Sequence, residues 1–83
     1  MPGFAVVNMD LQAIKAALEA GLPDCMIEVE ADGNKLGVTA VGEVFAGKSR
    51  VARQQVIYGL LNAWISSGEV HAVIMKTQTP DEA

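Results

Sequence analysis

The stretch Cys25–Val41, CMIEVEADGNKLGVTAV, decides the fold. Cys25, Ile27, Val29 and Ala31 fall on one face, and Met26, Glu28 and Glu30 on the other. A period of two with one polar side is a half-buried strand. Asp32-Gly33-Asn34 is a turn signal, and Leu36, Val38 and Ala40 resume the alternation beyond it. The stretch therefore reads as an antiparallel hairpin whose apolar face must be covered.

The flanking segments supply the cover. Upstream, Asp10 caps a helix over 11–20, with Leu11, Ile14, Ala17 and Leu18 on one face. Gly21 followed by Pro23 predicts a left-handed glycine stop. Downstream, residues 42–48 connect to a helix capped by Ser49, running from Arg50 to Ser66 and ended by Gly68. Ile57, Leu60, Leu61, Trp64 and Ile65 form its apolar stripe. VHAVIM, 70–75, reads as a third strand. Thr79-Pro80-Asp81-Glu82 reads as a capping box with proline at the first helical position, opening a vestigial last helix. A strand–helix–strand passage crosses over right-handed, so the last strand should lie parallel to a hairpin strand. The prediction is an α+β domain of order αββαβ(α), a three-stranded mixed sheet with helices packed on one face. Glu28, Glu30, Thr39 and His71 are assigned to the opposite face, because His71 alternates away from Val70, Ala72 and Ile74.

At 83 residues and 51% apolar content, the chain is expected to be one domain over 1–83. That length excludes barrels and dinucleotide-binding folds. A charged content of only 19% excludes disorder. The single cysteine, Cys25, rules out an intrachain disulfide and a self-contained cysteine zinc site. MPGFAVVNM, 1–9, lacks a basic leader region, and no apolar run approaches eighteen residues. A cytoplasmic protein with no membrane partner is the expectation.

Net charge is −4, which argues against bulk nucleic-acid affinity. The distribution is uneven. No acid lies between Glu43 and Glu69, where Lys48, Arg50 and Arg53 make a local +3. These three are the candidate nucleic-acid contacts; the alternative is a solvated helix face. Arg50, Arg53 and Gln54 also fall within about 60° of Ile57 around the helix. They form either an overhanging anion- or partner-binding surface or a buried hydrogen-bond network.

Residues 42–49, GEVFAGKS, match the phosphate-loop pattern G-x-x-x-x-G-K-[ST] between a strand and a helix. Glu43 opposes a phosphate, Val44 and Phe45 are bulky, and no strand-terminal aspartate follows to hold magnesium. We read the match as a false positive. His71, the only histidine, is either a satisfied strand residue or a metal ligand whose remaining ligands come from a partner. Cys25 reads as a small buried apolar residue. No catalytic constellation is visible, and the chain reads as a non-enzyme.

Taken together, FAGKSRVARQQVIY (45–58), SGEVHAV (67–73) and KTQTP (76–80) resemble the BolA-like family. The matching positions include Phe45, Gly47, Ser49, Arg50, Arg53, Gln54, Tyr58, His71, Thr77, Thr79 and Pro80. The family pattern F-x-G-x-S-R also accounts for the phosphate-loop match, with Lys48 at a variable position. The resemblance implies a fold similar to type II KH domains without the GXXG loop. It implies a monothiol glutaredoxin partner and a shared [2Fe-2S] cluster, in iron–sulfur trafficking and iron or redox regulation. Other members are described as DNA-binding regulators of stress response and cell morphology. Alone, such a chain is expected to be a monomer or a weak homodimer. The resemblance makes His71 a cluster ligand and places the second ligand in the hairpin loop. There this chain has Lys35, a protonated amine and a poor iron ligand. Cys25 lies about 23 Å away along the first strand.

Overall fold

A computed structural model describes residues 10–83; the reading of Met1–Met9 lies outside the described residues. The elements are α1 (Leu11–Gly21), β1 (Met26–Asp32), β2 (Lys35–Val41), a 3-10 turn (Glu43–Phe45), α2 (Arg50–Leu60), α3 (Asn62–Ser67) and β3 (Ala72–Gln78). The hairpin forms as expected, with Asp32 opposite Lys35 and Gly33 at φ 64° in the turn. β2 is central, antiparallel to β1 and parallel to β3. No described helix is long and apolar enough to cross a membrane.

One apolar cluster holds these elements together. Ile27, Leu36, Val38 and Ala40 point from the sheet to Ile14 and Leu18 of α1 and to Ile57 and Leu61. Phe45, delivered by the 3-10 turn, is fully buried among them. Each large side chain so buried contributes roughly 1.5–3 kcal/mol relative to exposure. The sheet's other face carries no helix side chain from this cluster.

Both helix starts follow the sequence: Asp10 accepts from the Ala13 N–H at 3.1 Å, and Ser49 from the Ala52 N–H at 3.1 Å. Gly68 ends α3 at φ 84°. Gly21 does not act as a left-handed stop. It is the last helical residue of α1, and a Cβ there would run into the Leu60 side chain, so the glycine permits close helix approach. The expected single helix over 50–66 is divided at Leu61, whose φ and ψ are −99° and 4°. Its N–H is shared between the Ile57 and Tyr58 carbonyls at 3.1 and 3.2 Å, a tightened turn.

The third strand also departs from the sequence reading. It starts two residues later and runs three further, because Lys76, Thr77 and Gln78 pair with Thr39, Ala40 and Val41. Its inward residues are Val73 and Met75, which pack on the core, while Ile74 is 68% exposed. The face assignment is thus inverted. His71 has the parity of the core-facing side, yet stays exposed because it precedes the strand at the end of the sheet.

Two glycines separate space from conformation. Gly59 is helical with open space where a Cβ would stand. Gly59→Ala should raise stability by about 0.5–1 kcal/mol, since alanine restricts the unfolded chain. A Cβ at buried Gly42 would overlap the Cys25 sulfur and press on its backbone. Gly42→Ala should lower stability by about 1–3 kcal/mol, and Cys25→Ala should partly rescue it. Urea denaturation of the four variants checks both; additive losses at positions 25 and 42 would contradict the overlap.

Candidate functional site

The parallel register sets the first part of the site. Ala72 pairs with Lys35, so His71 stands beside the hairpin turn, and its N–H donates to the Asn34 carbonyl at 2.9 Å. The backbone is anchored while the residue is exposed. Lys35 is the neighbouring residue on β2, also exposed. Cys25 lies beyond the opposite end of the sheet, against Gly42, so it is not brought to His71. Burial, then the negative charge of Asp24, pushes the Cys25 thiol pKa up, leaving it protonated and a weak donor. Among the described residues, no group of three or more His, Cys, Asp or Glu could hold a metal ion.

The second part is a groove of about 460 Å³ between the N-terminal half of α2 and the C-terminal half of β3. Lys48, Arg50, Arg53, Gln54, Lys76 and Glu82 border it. The two readings of Arg53 resolve here toward the hydrogen-bond network. Its side chain is 14% exposed, and its guanidinium grips both Glu82 carboxylate oxygens, at 2.7 and 3.3 Å. It also donates to the Thr77 carbonyl and, through Nε, to the Lys48 carbonyl, each at 3.1 Å. Arg53 therefore ties α2 to β3 and to the C-terminal turn. Lys48 and Arg50 remain exposed. Lys76, also exposed, adds a cation that sequence reasoning missed, because its strand extends three residues beyond the apolar run.

The C-terminal capping signal is realised as a single turn. Glu82 accepts from the Thr79 N–H at 2.8 Å, the reciprocal half of a capping box. The phosphate-loop match is not a phosphate site. The Ala46 N–H donates to Glu43 and the Lys48 N–H to Phe45 within the loop, so two amides a phosphate would need are already bonded.

The Arg53 guanidinium, then the Thr79 N–H, hold the Glu82 carboxyl down at about 2, from an ordinary 4.5. Stability from a carboxylate with a depressed folded pKa is complete above its unfolded value and is lost as pH falls through the folded one. Wild type should therefore melt above Glu82→Gln by a constant margin from neutral pH down to about pH 5. The margin should shrink between pH 4.5 and about 2. A margin independent of pH over that range would show that the clasp is not charge-assisted.

The comparisons with known proteins agree with this geometry. A family model for BolA-like proteins matches residues 13–82. The acid stress protein IbaG of Escherichia coli K12 is 40% identical over 74 residues, 89% of this chain and 88% of the relative. Among solved structures, the BolA domain of SufE1 from Arabidopsis thaliana is similar at 31% identity with a TM-score of 0.80, covering 94% of this chain and 100% of that one. A bolA homologue from Coxiella burnetii aligns at 29% identity with a TM-score of 0.74, over 89% and 95% of the two chains. The family model over residues 13–82 and the E. coli relative at 40% identity show that the chain belongs to the BolA-like family.

Proposed function

We propose that the chain is a non-enzymatic partner of a monothiol glutaredoxin, sharing a [2Fe-2S] cluster in iron–sulfur trafficking and iron or redox regulation. The observation that carries the reading is His71: an exposed imidazole at the end of the sheet, its backbone pinned to Asn34. A neutral imidazole with a free ring nitrogen fits a cluster ligand. Lys35 does not donate while protonated, and Cys25 is at the far end, so this chain offers one ligand and the partner supplies the rest. The shared cluster supplies electron-transfer chemistry; the chain contributes a ligand and a docking surface. The lone histidine and lone cysteine stand at opposite ends of the sheet, which favours binding over catalysis. The E. coli relative is named for acid stress, and a clasp held near pKa 2 keeps its charge in mildly acidic surroundings.

A second reading, a DNA-binding regulator, draws on the groove. With Arg53 engaged, Lys48, Arg50 and Lys76 supply its cations. Such binding should weaken with salt at a log–log slope near −3, alike on all sequences.

Co-expression with a monothiol glutaredoxin tests the first reading. His71→Ala should leave the isolated domain within about 1 kcal/mol of wild-type stability, as exposed substitutions do. It should also abolish or reshape the visible absorbance and circular dichroism of the complex. Lys35→His should slow cluster loss. An unchanged spectrum in His71→Ala removes the ligand role; an unfolded variant makes the histidine structural.

A further inference from the structure

The end of the sheet where β1 begins and β2 stops holds an open hollow of about 730 Å³. Its apolar wall follows from the local backbone. A 3-10 turn sends its three side chains about 120° apart. Phe45 takes the inward direction and is fully buried, so Glu43 and Val44 turn outward. The Gly42 N–H donates to the Gln78 carbonyl at 2.9 Å, which fixes this turn beside the end of β3 and brings Pro80 to the same corner. Met26 and Val41, paired across the hairpin, complete the wall. Met26 is 68% exposed and Val44 46%, so the apolar surface lies open. Exposed Asp24 and Glu43 border it, and among the described residues no lysine or arginine does. Neither carboxylate has an opposite charge within 4.0 Å among the described residues.

We propose that this hollow docks an extended segment of a partner protein in which a bulky apolar side chain stands next to basic residues. The apolar side chain enters between Met26, Val44 and Pro80, and the lysine or arginine beside it reaches Asp24 and Glu43. Charge decides among the occupants. Nucleic acid and anionic lipid surfaces carry the same sign as the two carboxylates and are repelled. The chain's own residues 1–9, MPGFAVVNM, contain no lysine or arginine to answer those carboxylates. A basic, apolar peptide matches both the wall and the rim.

The dimensions set the strength. The volume falls within the roughly 300–1,000 Å³ of sites that take a small ligand. Exposed ion pairs add little, and an extended peptide loses conformational freedom on docking, so the affinity is modest and salt-dependent. Val41 stands six residues along β2 from Lys35, roughly 20 Å from the end that carries His71. A segment held here does not touch the imidazole, and the inference does not rest on the glutaredoxin reading.

A nuclear magnetic resonance titration of the isotope-labelled chain is the test, with three capped pentapeptides as probes. One carries leucine between two arginines, the second has glutamate for each arginine, and the third has glycine for the leucine. The arginine–leucine peptide should move the amide signals of Met26, Val41 and Val44 and leave those of Asn34 and His71 in place, with a Kd of roughly 0.1–1 mM. The other two should bind at least about fivefold more weakly, since one loses the charge match and the other the apolar contact. Asp24→Lys and Glu43→Lys should each weaken the arginine–leucine peptide by about three- to tenfold, as should about 0.5 M salt on the wild type. Melts and amide spectra confirm that each variant is folded, and the comparison of peptides on the wild type needs no variant at all. No movement of these signals at about 5 mM peptide overturns the proposal. Equal binding of the arginine and glutamate peptides, or of the leucine and glycine peptides, overturns it as well. Signals that move first at Glu28 and Glu30 reduce the effect to general attraction by acids and also overturn it. Movement of the Met26 and Val44 signals on dilution of the chain alone would give the hollow to a second copy instead.

Discussion

The pairing of β2 with strands on both sides is the constraint on which the other features depend. Its antiparallel bond to β1 puts Leu36, Val38 and Ala40 beside Ile27 on one apolar face. Its parallel bond to β3 has wider consequences. Parallel register brings His71 to the hairpin turn, where Asn34 receives its N–H. The same register carries the Gln78 carbonyl to the Gly42 N–H at 2.9 Å, closing the other end. It also presents the Thr77 carbonyl to Arg53. A one-residue slip would turn Val73 and Met75 outward and dissolve both ends at once.

Much of this was legible because burial imposes period. The hairpin, both N-caps and the Gly68 stop follow from alternation and from the unsatisfied donors and acceptors at helix ends. What was not legible depended on neighbours distant in sequence. Ile74 looks like core by composition, but the face of an edge strand is set by its partner's register, and β2 turns it outward. The extent of β3 was hidden for the same reason: Lys76 to Gln78 are strand because Thr39 to Val41 pair with them. Leu61 broke the long helix without a proline, since its N–H bond could be shared between two carbonyls. In the candidate site, His71 was legible as a lone residue of its kind. Arg53 was legible only as two alternatives, because its partner Glu82 is 29 residues away.

The loop from Gly42 to Ser49 shows how a motif can be satisfied by unrelated physics. Gly42 is required by the Cys25 side chain and backbone, and Gly47 by a φ of 75°. Ser49 caps α2. Phe45 fills the core, which a phosphate cradle has no reason to do. Packing at Gly42, backbone conformation at Gly47 and capping at Ser49 thus produce three of the four fixed letters of a phosphate loop, while its amides bond within the turn.

The geometry also separates the surfaces. His71 stands before the first residue of β3, whereas the basic groove borders Met75 to Gln78. Four to seven residues at about 3.3 Å place roughly 13–23 Å between them along the strand. A partner that touches only the imidazole need not reach the groove, and one that grips both must lie along the length of β3. Arg53 stiffens the strand end between these options, since it binds the strand, the preceding loop and the C-terminal turn together. Loss of the Arg53–Glu82 contact would free a guanidinium into the groove and loosen the turn that carries Glu82. The same substitution would thus raise the groove's positive charge and lower its rigidity. A change in anion binding caused by altering Glu82 therefore measures both effects, whereas altering Lys48 or Arg50 changes the charge without opening the clasp.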